Sequence, residues 1–165
     1  MRILGIDPGT AIMGWGVIDA DGGDVGLVSY GVLTTPAKTP LPQRLELLYN
    51  GLAHVLAAYR PDAGAVEELF FSKNVTTALA VAHARGVALL ALQQAGVRIF
   101  EYKPMAVKQA VVGYGHADKQ QMQHLVQMTL NLNHLPQPDD AADALAVAIC
   151  HAYSAPLLAR IEEDS

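Results

Sequence analysis

The chain has 165 residues, 52% of them apolar and 16% charged, with a formal net charge of −5. That balance excludes a disordered chain, argues against a general nucleic-acid binder, and suits one domain around a single core. The lone cysteine, Cys150, rules out an intrachain disulfide and a cysteine-based zinc centre.

Arg2-Ile3-Leu4-Gly5-Ile6 reads as a short buried strand running into Asp7-Pro8-Gly9. Asp-Pro-Gly is a good turn sequence. The same position, at the carboxyl edge of a sheet, is where open α/β folds place their ligands. Met13 to Ile18 and Val25 to Leu33, joined by Asp21-Gly22-Gly23-Asp24, read as strands of antiparallel hairpins. Past Pro36, Pro40 and Pro42 the pattern turns helical, with Leu45, Leu48, Leu52, Val55, Leu56 and Tyr59 on one face until Arg60-Pro61-Asp62. Ala63 to Val66 forms a fourth strand ending at Glu67 and Glu68, and either acid is placed to face a site. The segment from Glu68 to Asn74 reads as a loop, and a long helix is expected over 75–95. That helix has little polar face, so it is expected to be buried on more than one side, the further cover being a second copy of itself across a two-fold axis or another helix of the same chain. Val97 to Glu101 is a fifth strand, followed by helices over 104–112, 117–131 and 139–153. Strands that alternate with helices pair in parallel through right-handed crossovers. The expectation is a mixed five-stranded α/β sheet, three antiparallel strands then two parallel ones, flanked by helices.

Charge is unevenly spread. Between Leu69 and Pro138 stand six basic residues and two acidic ones, a locally basic stretch that suits a phosphate-bearing substrate. The chain's start lacks a basic segment followed by an apolar one, so no secretory signal is expected. The apolar run 78–92 is interrupted by His83, Arg85 and Gly86 and is expected to be too short for a bilayer. The predicted location is the cytoplasm, with no membrane partner.

Four acids stand out. Asp7 and Glu67 end strands, and Asp140 and Asp143 lie one helical turn apart on one helix face. Asp139 and Asp143 share a face equally well, and acids in a first turn also serve as caps. Carboxylates gathered with no histidine or cysteine cluster make an all-oxygen set suited to Mg²⁺ or Mn²⁺. Two such ions about 4 Å apart are a recurrent device for in-line attack on phosphodiesters.

Gly5-Ile6-Asp7-Pro8-Gly9-Thr10, Pro61-Asp62 through Val66-Glu67, Phe70 through Lys73-Asn74, Ala84 to Ala88, Val107 to Gly113, Asp118-Lys119 and Asp140 to Leu145 follow one another in a recognisable order. Together they resemble the RuvC family of Holliday-junction resolvases. The resemblance implies an RNase H-like fold over 1–155 with a short acidic tail, 156–165. It also implies a homodimer through the 75–95 helix that nicks two opposed strands of a four-way DNA junction, in recombination and repair. Each active site would use two divalent ions, Mg²⁺ or Mn²⁺, held by Asp7, Glu67, Asp140 and Asp143, with Lys119 as a further catalytic group. DNA contacts are implied for Phe70, Phe71, Lys73, Asn74, Arg85, Lys108 and Lys119, and a RuvA–RuvB branch-migration complex as partner. A phosphotransferase of the actin and sugar-kinase type also begins with a strand, an acid and a glycine turn, but it needs two such domains. A junction binder without catalysis gains nothing from four bare carboxylates.

Overall fold

In the computed structural model, which describes residues 1–69, 75–113 and 115–163, the first strand, β1 (Arg2–Asp7), lies at the centre of the sheet. β2 (Ile12–Asp21) pairs antiparallel with β1, and β3 (Asp24–Thr34) pairs antiparallel with β2. On the other side β4 (Ala63–Glu67) pairs in parallel with β1, and β5 (Arg98–Tyr102) in parallel with β4. The order β3-β2-β1-β4-β5 is the expected mixed five-stranded sheet.

Alternation along the strands divides the core in two. Leu4, Ile6, Val17 and Val66 face α1 (Leu41–Tyr59) and α2 (Val75–Gln94), where Leu48, Leu52, Ala84, Ala88 and Leu92 complete one layer. Ile3, Ile18 and Ala65 face the opposite layer, built from α3 (Pro104–Val112), α4 (Lys119–Thr129) and α5 (Asp139–Glu163). Each fully buried Leu or Ile contributes about 1.5–3 kcal/mol relative to an exposed one, so the two layers hold the sheet edge in place.

α5 is the central helix of its layer. Ala141, Ala144, Leu145, Ala148 and Ile149 are completely buried. Its approach to the sheet is a main-chain contact. A Cβ at Gly5 would stand 2.1 Å from the Ala144 carbonyl oxygen, and one at Gly14 would stand 1.9 Å from that of Asp140. Only glycine fits at either place, and the first turn of α5 therefore lies directly against β1 and β2.

Two expectations need correction. The last helix does not stop at Tyr153 but runs to Glu163, through Pro156 and into the segment expected as an acidic tail. Proline removes one amide and crowds the preceding turn. Ser154, whose Oγ donates to the Cys150 carbonyl oxygen at 2.8 Å, adds a side-chain bond in that turn. Taken whole, α2 and α5 each have the length and apolarity of a bilayer span, unlike the interrupted run 78–92 counted alone. Both carry faces that pack on the sheet. The far side of α2 leaves Val75, Leu79 and Leu90 more than half exposed.

Candidate active site

Strand parity selects the acids. On β1, Asp7 follows Ile3 and Gly5 on the face that meets α5. On β4, Glu67 follows Ala65 onto the same face. Glu68 lies just past the strand, where its backbone N–H donates to the Tyr102 carbonyl oxygen at 2.8 Å. Parallel pairing of β1 with β4 places Asp7 and Glu67 at the same edge.

The first turn of α5 supplies the other acids. The Pro138 carbonyl oxygen accepts from the Ala141 N–H at 3.0 Å and closes that turn. Close packing at Gly14 then brings Asp140 to the end of β1, and Asp143 follows one turn later.

Electrostatics shows the four acids facing one another. Burial, with repulsion from Glu67, Asp143 and Asp140, pushes the Asp7 carboxyl up to about 8, against a smaller opposing pull from Lys119. Burial and repulsion from Asp143 push Glu67 up to about 7, opposed by Lys108. Asp143 is also raised, by burial first, while Lys119 and its neighbouring aspartates act in opposite directions. Carboxylates crowded in this way need protons or a cation between them.

As the side chains stand, no three acids, histidines or cysteines among the described residues close on a single point. The donor set nonetheless fits a hard cation. It is all oxygen, and it carries a repulsion that a divalent ion relieves. A protein cation already borders it, since the Lys119 Nζ stands 3.6 Å from Asp143 Oδ2 and 3.1 Å from Asp139 Oδ2. Lys119 opens α4, whose start is fixed by a capping box. Asp118 accepts from the Gln121 N–H at 2.8 Å, and the Gln121 side chain accepts from the Asp118 N–H at 3.0 Å.

Two hollows are lined in part by these acids. A cleft of about 230 Å³ is lined by Glu67, Asp143, Lys108, Lys119 and the apolar Val107 and Met122. A broader groove of about 650 Å³ carries Thr10, Arg44, Leu79, His83 and Asp140. A polar relay pins the turn after Asp7 beside that groove. Arg44 Nε donates to Thr35 Oγ1 at 2.7 Å, Thr35 Oγ1 to the Thr10 carbonyl oxygen at 2.6 Å, and Thr10 Oγ1 to the Ala80 carbonyl oxygen at 2.5 Å.

The structure thus brings together Asp7, Glu67, Asp140, Asp143, Lys108 and Lys119. Arg85 points elsewhere, into an ion pair with Glu101 of β5. Phe70, Phe71, Lys73 and Asn74 lie outside the described residues. Sequence reasoning missed Gln123, a buried amide whose Nε2 donates to Asp139 Oδ1 at 2.8 Å. Its only sequence signal is a polar residue between Met122 and Val126 on the packed side of α4.

A mixed sheet of this order flanked by helices is the RNase H-like α/β fold, and an acid cluster at the ends of its strands fits the nucleases of that class. Comparison with known proteins narrows the class. The family profile of crossover junction endodeoxyribonuclease RuvC matches residues 3–151. The chain is 66% identical over 160 residues to a crossover junction endodeoxyribonuclease RuvC of Chloroflexus aggregans, covering 97% of this chain and 98% of that one. It is 60% identical over 162 residues to the Roseiflexus sp. protein of the same description, covering 98% and 96%. RuvC of T. thermophilus, solved in complex with a Holliday junction substrate, superposes with a TM-score of 0.89 at 38% identity, covering 95% of this chain and 96% of that one. The chain belongs to the RuvC family, the metal-dependent endonucleases of DNA recombination and repair.

Proposed function

We propose that this chain resolves four-way DNA junctions by paired, symmetric nicks, with Asp7, Glu67, Asp140 and Asp143 holding two divalent ions, Mg²⁺ or Mn²⁺, at each scissile phosphate. The observation that carries this reading is the convergence of four carboxylates from β1, β4 and α5, two of them, Asp7 and Glu67, pushed up to about 8 and about 7 by burial first and then by neighbouring carboxylates. Bound there, the ions supply charge neutralisation for the phosphodiester and a lowered pKa for the attacking water.

The chain's own groups do the rest. The four carboxylates set where the phosphate can lie, with Glu67 and Asp143 on the cleft and Asp140 on the groove. Lys119 and Lys108, both lining the cleft, place positive charge where negative charge builds on phosphorus oxygens. Water oxygen bonds to phosphorus as the bond to the 3′ oxygen breaks, and that oxygen takes up a proton. The products are a 3′-hydroxyl and a 5′-phosphate, ends that a ligase can join.

Pairing of nicks requires two sites. A second copy is proposed on the far side of α2, where Val75, Leu79 and Leu90 are uncovered. Phe70 or Phe71 stacking at the junction centre, with Lys73 and Asn74 on the backbone, and delivery by RuvA–RuvB in the cytoplasm, belong to the same reading.

The test is incubation of a synthetic four-way junction with Mg²⁺ and either the wild-type chain or Asp7→Asn. Symmetric paired nicks that fall at least a hundredfold in the variant, with junction binding retained, support the assignment. Equal cleavage by both proteins overturns the role of Asp7.

A further inference from the structure

Asp139 sits next to the proposed ion-holding acids, and its side chain is held by two groups of α4. One carboxylate oxygen accepts from the buried Gln123 amide at 2.8 Å, and the other meets the Lys119 ammonium at 3.1 Å. Gln123 is 8% exposed and packs within the α4–α5 layer, so it holds the Asp139 carboxylate in one orientation. Lys119 and Asp139 side chains are 57% and 48% exposed. An ion pair that open to water, on a side chain as long as lysine, does not by itself hold its geometry. The Gln123 bond changes this, because the acceptor can no longer swing away with its partner.

Resting on the nuclease reading above, we propose that Asp139 is a positioning residue, a dedicated counter-ion that, locked by Gln123, holds the Lys119 ammonium at the rim of the catalytic acids. Lys119 is shared between Asp139, at 3.1 Å, and Asp143, at 3.6 Å. Without Asp139 its whole charge would fall on Asp143, an acid the reaction needs for the ions. With Asp139 in place, the nearer pairing lies outside the acid cluster and the hold on Asp143 is weaker.

Two measurements test this. The first is single-turnover cleavage of a four-way junction in Mg²⁺. Wild-type cleavage establishes the nuclease reading; its absence defeats that reading and leaves the second measurement to judge this one. Asp139→Asn is expected to cut roughly tenfold more slowly, with junction affinity and the Mg²⁺ midpoint within twofold of wild type. Gln123→Leu is expected to lose less in the same way, and Asp139→Glu to recover part of the rate. In a Lys119→Met background, Asp139→Asn is expected to cost nothing more. A full tenfold loss in that background, or a loss that disappears at saturating Mg²⁺, overturns the proposal. The second measurement, ¹⁵N relaxation of the lysine ammonium groups, needs neither DNA nor metal. The Lys119 ammonium is expected to be ordered in the wild type and to lose that order in Asp139→Asn and Gln123→Leu; unchanged order overturns the proposal.

Discussion

Replacing Glu67 and Glu68 in turn separates two adjacent acids by strand parity. Glu67 shares its face with Ala65 and the α5 layer, and Glu68 lies past the strand end. Glu67→Gln is expected to lose at least a hundredfold in junction cleavage, while Glu68→Gln stays within a fewfold; comparable losses would refute the parity argument. Sequence pattern left the pair unresolved because both acids follow the same apolar run. A second residue carries a pH prediction. His151 is 1% exposed, lies against Phe100 with ring centroids 4.2 Å apart, and has Nδ1 2.7 Å from the Tyr102 hydroxyl. Burial, with a smaller push from Arg98, lowers it to about 4. The folded state keeps the ring neutral, and the unfolded chain takes up a proton below about 6.5. The stabilisation is thus present above pH 6.5 and is lost as pH falls towards 4. Between pH 7 and 5 the loss should be roughly 2 kcal/mol. Urea melts of wild type and His151→Gln check this, and equal pH slopes for the two would count against it.

Among the elements, the strands were legible because alternation and short apolar runs gave their order and direction. The two ends of α5 were not equally readable. Its start is marked by Pro138 and a run of acids, whereas the helix expected to stop at Tyr153 continues through Pro156 to Glu163. The partnership of Asp139 with Lys119 and Gln123 was also invisible, since it joins α4 to α5 across separations that no local spacing rule covers. The packing of α5 on β1 and β2 leads to a prediction about a residue with no chemistry of its own. Gly14→Ala places a methyl group against the Asp140 carbonyl, so the first turn of α5 must lift. Overpacking of this kind costs about 1–3 kcal/mol. Cleavage is expected to drop more than tenfold in a variant that still unfolds cooperatively. A Gly14→Ala protein with wild-type cleavage would show that the approach of α5 does not set the acid positions.

For the molecule as a whole, the two faces of α2 have different tasks. Ala84, Ala88 and Leu92 secure the helix to its layer, and Val75, Leu79 and Leu90 face outward. Leu90→Glu puts charge on the outward face, away from the groove that Leu79 shares with Asp140. Sedimentation is expected to shift it from dimer to monomer, and junction products are expected to change from paired nicks to single, uncoordinated ones. A Leu90→Glu chain that stays dimeric and nicks in pairs would move the interface off this face.

The glycine contacts under α5 also give the site a direction in which it can change. Where main chain already touches main chain, no substitution removes an atom; every replacement at Gly5 or Gly14 adds one. The gap between the β1 acid and the α5 acids can be widened by single substitutions at these glycines but not narrowed. Drift at these two positions is therefore one-sided, towards looser sites, and the distance seen here is a floor rather than an average.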